Sequence, residues 1–127
     1  MKLRLQANSV RFRLKQREVA QLITAGTIEE AVIFGPKPDD AFQYVLELSD
    51  AISEPRAERV KSGLLVCVPT DTARSWANGN DVGIETDVAI DGQPNLRILI
   101  EKDFACLNGP EEQNVDTYPN PLAGAKC

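Results

Sequence analysis

The chain has 127 residues and a mass of 13.9 kDa, with 14 Lys and Arg against 19 Asp and Glu and a formal charge of -5. Its 43% hydrophobic and 26% charged content is typical of a soluble globular domain. The acidic balance disfavours general binding of nucleic acid or membrane surfaces. Because the sequence contains no histidine, imidazole chemistry is excluded, and with it Ser-His-Asp catalysis, Cys-His catalysis and most zinc-enzyme mechanisms.

The sequence also bears on the cellular compartment. Its first residues alternate charged and apolar side chains, which is not the pattern of a signal peptide. The longest uncharged apolar run, residues 64–69, is far shorter than the ~20 residues of a membrane-spanning helix. Three cysteines, an odd number, do not form the paired framework of a small secreted domain. We therefore expect a cytoplasmic protein that has no membrane contact.

The chain opens with a predicted β-hairpin. Apolar residues occupy every second position on both sides of a turn at Asn8 and Ser9, which is the period of strands with one buried face. Most positions in the other phase carry Lys or Arg, so we expect the second face of this hairpin to be solvated and basic.

A helix of about ten residues and two further strands are predicted next. Apolar residues at helical spacing form one stripe, and they are Val19, Leu22 and Ile23. Gly26 is expected to end the helix as a left-handed cap. Residues 27–34 and 42–48 then predict two strands, separated by a Gly- and Pro-containing turn at residues 35–40.

The same order of signals recurs 54 positions later. Adding 54 to Val10, Phe12 and Leu14 gives Leu64, Val66 and Val68, and adding 54 to Val19, Leu22 and Ile23 gives Ala73, Trp76 and Ala77. Because one such unit is too small to bury its own faces, two would have to pack together. We predict an α+β fold, a pseudo-twofold pair of β-β-α-β-β units (residues 1–50 and 56–103) that share one core, with mainly antiparallel sheet and two short helices. Chance agreement is the alternative to a repeat.

The pattern further predicts where this single domain, residues 1–127, is most buried. Residues 64–68 are apolar in both phases, which indicates the most buried strand. Its counterpart near Phe12 keeps basic residues in one phase and should lie nearer solvent. Residues 104–127 contain several Pro and Gly and little periodicity, so we expect an irregular C-terminal tail.

Segments at both ends of the chain carry a resemblance. They are residues 1–4 with 8–14 at the start, and residues 101–107, 118–121 and Cys127 at the end. In these segments the chain resembles a small family of uncharacterised bacterial proteins, a domain of unknown function. The resemblance implies no activity, cofactor or site residue.

The tail contains a pair of cysteines, Cys106 and Cys127, with acidic residues between them. Thiolates and carboxylates can bind a divalent metal such as zinc, although a structural zinc site needs three or four Cys or His ligands. The pair could equally form a disulfide, which would be transient or redox-sensing in a reducing cytoplasm. Two unlinked thiols are the third interpretation.

A basic strip on the first hairpin is the second candidate site. Six cations precede the first acid of the chain, and they are Lys2, Arg4, Arg11, Arg13, Lys15 and Arg17. In strand geometry Arg4, Arg11, Arg13 and Lys15 could bind an anion such as phosphate or RNA. The absence of interleaved aromatic residues for base stacking favours a plain solvated face instead.

Other features favour structure over chemistry. Glu101 and Asp103 lie at i and i+2, where two carboxylates could share one strand face, and we expect a solvated edge there. Trp76 lies on the helix stripe and is expected in the core. Residues 78–83 lack the spacing of a phosphate loop or a calcium loop.

These observations predict a non-catalytic binding or assembly module without a cofactor. Homodimerisation through edge strands is the expected mode of assembly. The alternative is a metal- or redox-responsive protein that acts through Cys106 and Cys127. A hydrolase that uses Glu101, Asp103 and a bound cation is a third hypothesis. The sequence identifies no small-molecule ligand.

Overall fold

The structure is a computed structural model that describes residues 1–104 and 116–119. Within these residues the chain forms two helices and two four-stranded sheets, which confirms the predicted α+β class. The strands are β1 (Lys2–Gln6), β2 (Ser9–Leu14), β3 (Thr27–Ile33), β4 (Ala41–Ser49), β5 (Arg56–Val60), β6 (Gly63–Pro69), β7 (Gly83–Val88) and β8 (Leu96–Lys102). The helices are α1 (Gln16–Ala25) and α2 (Thr70–Asn78), and a short 3-10 turn spans Pro38–Asp40.

Each sheet combines strands from both halves of the chain. Sheet A has the order β1-β2-β8-β7, and sheet B has the order β3-β4-β6-β5. Every hairpin is antiparallel, whereas the two hairpins of each sheet are joined by a parallel pair, β2 with β8 and β4 with β6. The first hairpin of one half therefore pairs with the second hairpin of the other half, and the sheets are mainly antiparallel as predicted.

The register of the two sheets obeys the offset of 54 that the sequence predicts. In sheet A, Phe12 lies opposite Ile100, and in sheet B, Val66 lies opposite Leu46. Adding 54 to Phe12 and to Leu46 gives Val66 and Ile100, so the two central pairs are equivalent. Because a shift by one residue would exchange the two faces of a strand, this agreement places equivalent residues of the two halves on equivalent faces.

The two halves differ where the helix leads into the third strand. Thr27 pairs with Glu47 and Gly83 pairs with Glu101, so the offset here is 56 and two extra residues lie between α2 and β7. In the first half, α1 ends at Gly26 with φ 81°, as predicted, and the carbonyl of Gly26 accepts the backbone N–H of Leu48 at 2.8 Å. In the second half, α2 ends at Gly79 in an extended conformation.

The core is one contiguous cluster to which both sheets and both helices contribute. The largest completely buried side chains are Trp76 and Phe12. The Trp76 indole also donates to the carbonyl of Val82 at 3.1 Å, which satisfies its only polar group. Strand β6 is the most buried strand, and β2 alternates buried and half-buried residues, as the sequence predicts.

Only part of the predicted tail lies among the described residues. Residues 116–119 pack on the end of sheet A, where Tyr118 forms a parallel bridge with Phe104 and its N–H donates to the Asp103 carbonyl at 2.7 Å. The predicted irregular tail otherwise falls on residues 105–115 and 120–127, outside the described residues. In the described part of the chain, no helix is long and apolar enough to cross a membrane.

Candidate functional surfaces

The outer face of sheet A carries a cluster of cations, which we call the basic face. It consists of Lys2, Arg4, Arg11, Arg13 and Arg97. The antiparallel register of β1 and β2 places Arg4 directly opposite Arg11, and Lys2 directly opposite Arg13. Like charges that lie directly opposite across two strands are destabilising. Two successive pairs of this kind therefore have an electrostatic cost that the fold must offset elsewhere.

Carboxylates offset part of this charge. Arg11 forms a two-pronged ion pair with Glu101, in which the Nη2–Oε2 distance is 3.2 Å. Arg97 pairs with Glu85. Among residues 1–104 and 116–119, neither Arg4 nor Arg13 has a carboxylate partner. Positive charge therefore remains unneutralised in the part of this face that the structure describes.

An open depression of about 310 Å³ lies on the basic face. It is lined by Arg4, Gln6, Ser9, Arg11, Arg97, Leu99 and Glu101. Of the four residues that the sequence suggests for anion binding, Arg4 and Arg11 line the depression. Arg13 lies on the same face but beside it. Lys15 lies at the N-cap of α1, where its backbone N–H donates to Glu18 at 2.9 Å.

Arg97 is a member of this site that the sequence analysis missed. It lies on β8, 88 positions from Ser9, to which it is register-paired across the parallel strands β2 and β8. The alternation of Arg97, Leu99 and Glu101 with apolar residues could have indicated that they face outward. Their proximity to the first hairpin depends on a long-range pairing that local periodicity does not encode.

The equivalent positions in sheet B lack most of this charge. Adding 54 to Arg4, Arg11 and Arg13, or subtracting 54 from Arg97, gives Glu58, Leu65, Cys67 and Gln43. These residues have the same register relationships in sheet B. Lys2 corresponds to Arg56, so the same backbone arrangement is formed once with five cations and once with one. We conclude that the backbone fold does not require the arginines.

The two acids considered as a catalytic pair are held separately. Glu101 faces outward and binds Arg11, whereas Asp103 follows the end of β8 and is only 5% exposed. Oδ2 of Asp103 lies 3.1 Å from Nζ of Lys2, an ionic contact without hydrogen-bond geometry. The expected solvated edge is wrong for both acids, because β8 is an inner strand of sheet A, the Glu101 side chain is only 18% exposed and Asp103 is buried. Each carboxylate is engaged by a different cation, which gives the hydrolase hypothesis no support.

The cysteine pair cannot be placed, since Cys106 and Cys127 lie outside the described residues. Zinc binding, a disulfide and free thiols at these positions stay predictions, as does the redox alternative that depends on them. Cys67 lies in β6, where burial raises the pKa of its thiol and the carboxylate of Glu47 adds to this effect. In the described ranges, no three Cys, Asp or Glu side chains are grouped closely enough to hold a metal ion.

A polar pair lies on neighbouring strands of sheet B, and its tyrosine ring also contacts sheet A. The Tyr44 hydroxyl donates to Oε2 of Glu30 at 2.9 Å, and its ring centroid lies 6.4 Å from that of Phe12. Burial raises the pKa of Tyr44 from 10.0 to about 12, and the hydrogen bond and charge of Glu30 contribute further. The phenol therefore stays neutral at ordinary pH and acts as a hydrogen-bond donor.

The end of β3 exposes apolar residues at the edge of sheet B. We call Ala31, Val32, Ile33 and Phe34 the β3 apolar edge. Val32, Ile33 and Phe34 are 45%, 70% and 76% exposed. By register Val32 faces the core side of the sheet, so its exposure shows that the core does not extend to this end of the hairpin.

Within the described part of the chain, the backbone of the β3 apolar edge also has hydrogen-bonding groups without a partner. Phe34 N–H donates to Asp40 across the hairpin at 3.0 Å. Because bonded and non-bonded positions alternate in an antiparallel pair, the even-numbered residues of β3 bond to β4. The N–H and C=O groups of Glu29, Ala31 and Ile33 therefore point away from the sheet.

The other three sheet edges are charged along their length. The charged side chains are Lys2 and Arg4 on β1, Arg56, Glu58 and Arg59 on β5, and Glu85 and Asp87 on β7. Charged side chains on edge strands oppose pairing with another chain. In β3 only the first half is charged, at Glu29 and Glu30. Sequence periodicity predicted edge strands but could not identify which strand lies at an unprotected edge.

Comparison with known protein families places the chain in a family of unknown function. A family model described as Family of unknown function (DUF7009) matches residues 1–122. No curated protein and no solved structure matches the chain.

Proposed function

Since the chain belongs to the DUF7009 family, whose function is unknown, we propose from its surfaces that it is a non-catalytic assembly module, which forms a homodimer through the β3 apolar edge. The observation that carries this proposal is the exposure of Ile33 and Phe34, 70% and 76%, on an edge strand whose outward backbone groups have no partner among residues 1–104 and 116–119.

A second copy of the chain would cover the exposed apolar side chains of this edge and pair its outward backbone groups. In an antiparallel pair centred on Val32, Ala31 of one copy lies opposite Ile33 of the other, and both have outward-pointing backbone groups. Glu29 lies opposite Gly35, so the acidic residues of the two copies do not face each other. Each copy presents the same patch, as a twofold interface requires.

The size of the patch indicates a weak dimer. Complete burial of a Val, Ile or Phe side chain contributes about 1.5–3 kcal/mol, and part of each side chain is already buried. Association costs about 4–15 kcal/mol in lost freedom of motion. We expect a dissociation constant on the order of 10–100 μM.

Sedimentation equilibrium across that concentration range tests the proposal. Wild-type protein should change from monomer to dimer, whereas Ile33→Lys should stay monomeric because it places a charge in the interface. Ala31→Pro should do the same because it removes an outward N–H, and proline is tolerated at such edge positions.

Asp87→Pro is the matched control. Asp87 also has an outward N–H, because Val82 and the other even-numbered positions of this hairpin bond to β8. This variant should dimerise like the wild type. A wild-type protein that remains monomeric at several hundred micromolar would contradict the proposal, as would dimers that persist in both β3 variants.

A further inference from the structure

The basic face has an arrangement that the rest of the fold does not explain. Arg4 and Arg11 lie opposite each other, the next row repeats the like-charge pairing with Lys2 and Arg13, and Arg97 lies on the adjoining strand. At the equivalent positions of sheet B none of the four arginines is retained. A bound anion would offset the repulsion between these side chains.

Hydrogen-bond donors remain available in the depression. A guanidinium has five N–H donors. The ion pair with Glu101 engages Nε and Nη2 of Arg11, and the pair with Glu85 engages one nitrogen of Arg97. In the described part of the chain, Arg4 has no ion-pair partner. Donors from three arginines on three adjacent strands therefore surround one depression.

The size and surroundings of the depression indicate the class of anion. A volume of about 310 Å³ lies at the small end of the ~300–1,000 Å³ of ligand pockets. Planar guanidinium groups fit the oxygens of phosphate particularly well. A long polyanion is disfavoured because Glu85 and Asp87 border the same face on β7. In the described strands of sheet A, the one aromatic residue, Phe12, faces the core, so no aromatic side chain on this face could stack on bases.

We propose that the depression formed by Arg4, Arg11 and Arg97 is a binding site for the phosphate group of a small molecule. Arg4 is the principal ligand-binding residue because its donors are available without breaking an ion pair. Glu101 orients Arg11, and Glu85 orients Arg97, toward the depression. This site is separate from the β3 apolar edge and does not depend on dimerisation.

NMR titration of the full chain tests this site, with the Nε–H signals of the arginines as the readout at constant ionic strength. The probes are inorganic phosphate, ribose 5-phosphate and a twelve-residue oligothymidine. We expect saturable shifts at Arg4, Arg11 and Arg97 with phosphate and with ribose 5-phosphate. Tighter binding of the sugar phosphate would assign a phosphomonoester, and equal binding would assign phosphate itself.

Arg4→Gln should weaken binding by about tenfold, as loss of a charge-assisted hydrogen bond predicts. Arg59→Gln is the matched control, because it removes one exposed arginine from an edge strand of sheet B and should leave binding unchanged. Equal weakening by both variants would overturn the proposal, since it would indicate only net charge. Shifts that do not saturate, or saturable binding of the oligonucleotide alone, would also overturn it.

Discussion

Lys102 allows a direct test of a structural difference between the two halves, a side-chain hydrogen bond to the end of α2. Its side chain is 7% exposed, and its Nζ donates to the carbonyl of Gly79, at the end of α2, at 2.9 Å. Nζ also lies 5.5 Å from the centre of the Tyr118 ring. The equivalent of Lys102 in the first half is Leu48, whose backbone N–H caps Gly26 directly. The backbone N–H of Lys102 makes the equivalent bond, to the Val82 carbonyl at 3.0 Å, so the lysine side chain adds a second bond, to Gly79, where two extra residues precede β7.

Lys102→Met removes this donor but retains most of the apolar stem. Loss of a hydrogen bond from a charged group costs about 1.5–3 kcal/mol, and loss of the contact with the aromatic ring adds about 0.5–1 kcal/mol. Removal of a buried ammonium returns part of this, since its desolvation is unfavourable. We therefore expect the free energy of unfolding to fall by about 2 kcal/mol, with a decrease of about 8 °C in Tm.

Urea unfolding measures the total effect, and amide hydrogen exchange locates it. The last turn of α2, including the Gly79 N–H that donates to Ser75 at 3.0 Å, should exchange faster in Lys102→Met. Leu48→Met is the matched control and should cost less than about 1 kcal/mol, because the swap conserves volume and leaves the backbone donor in place. A loss in Lys102→Met no larger than in this control would refute the role given to Lys102.

Two further predictions concern the pKa of Tyr44 and the composition of each sheet from hairpins of both halves of the chain. Between pH 10 and 12 the unfolded chain loses the Tyr44 proton before the folded chain does, because folding raises this pKa to about 12. The free energy of unfolding should therefore fall in this window, by about 1–2 kcal/mol since the phenol is only partly screened from solvent. Tyr44→Phe should remove this decrease in urea unfolding at pH 9 and 11.5, and a decrease of the same size in the variant would contradict the assignment. Fragments 1–52 and 53–127 should each be largely unfolded alone, because the hairpins of each sheet come from different halves. An equimolar mixture should recover sheet signal by circular dichroism, and cooperative unfolding of either fragment alone would contradict this expectation.

Much of the fold could be predicted because its information is local. Every predicted element of the two units is present, and the offset of 54 holds for the central pairs of both sheets. Gly26 ends α1, and Trp76 is buried, as helical spacing predicts. Period and spacing depend on residues close together in the chain, so both can be recognised in a single sequence.

What could not be predicted depends on pairing over long distances. No local signal indicates that β2 pairs with β8 rather than with a strand of its own half. The position of Arg97 beside Ser9 follows only from that pairing, and so does the identity of β3 as an edge strand. Asp103 was expected at a solvated edge, but residues 116–119 and Lys2 lie over it. Contacts between distant segments decide burial at such positions.

A comparison of equivalent positions in the two halves shows which residues the fold requires. Where equivalent positions are both apolar, as at Phe12 and Val66, they form the shared core. Where they are exposed and differ in kind, unlike buried Lys102 against Leu48, packing does not explain the residue, because the other half packs without it. Arg4 against Glu58 is such a difference, and so is exposed Ile33 against the equivalent Ala89. If each surface acts as proposed, exchanging such a residue for its equivalent should abolish one function and leave the free energy of unfolding nearly unchanged.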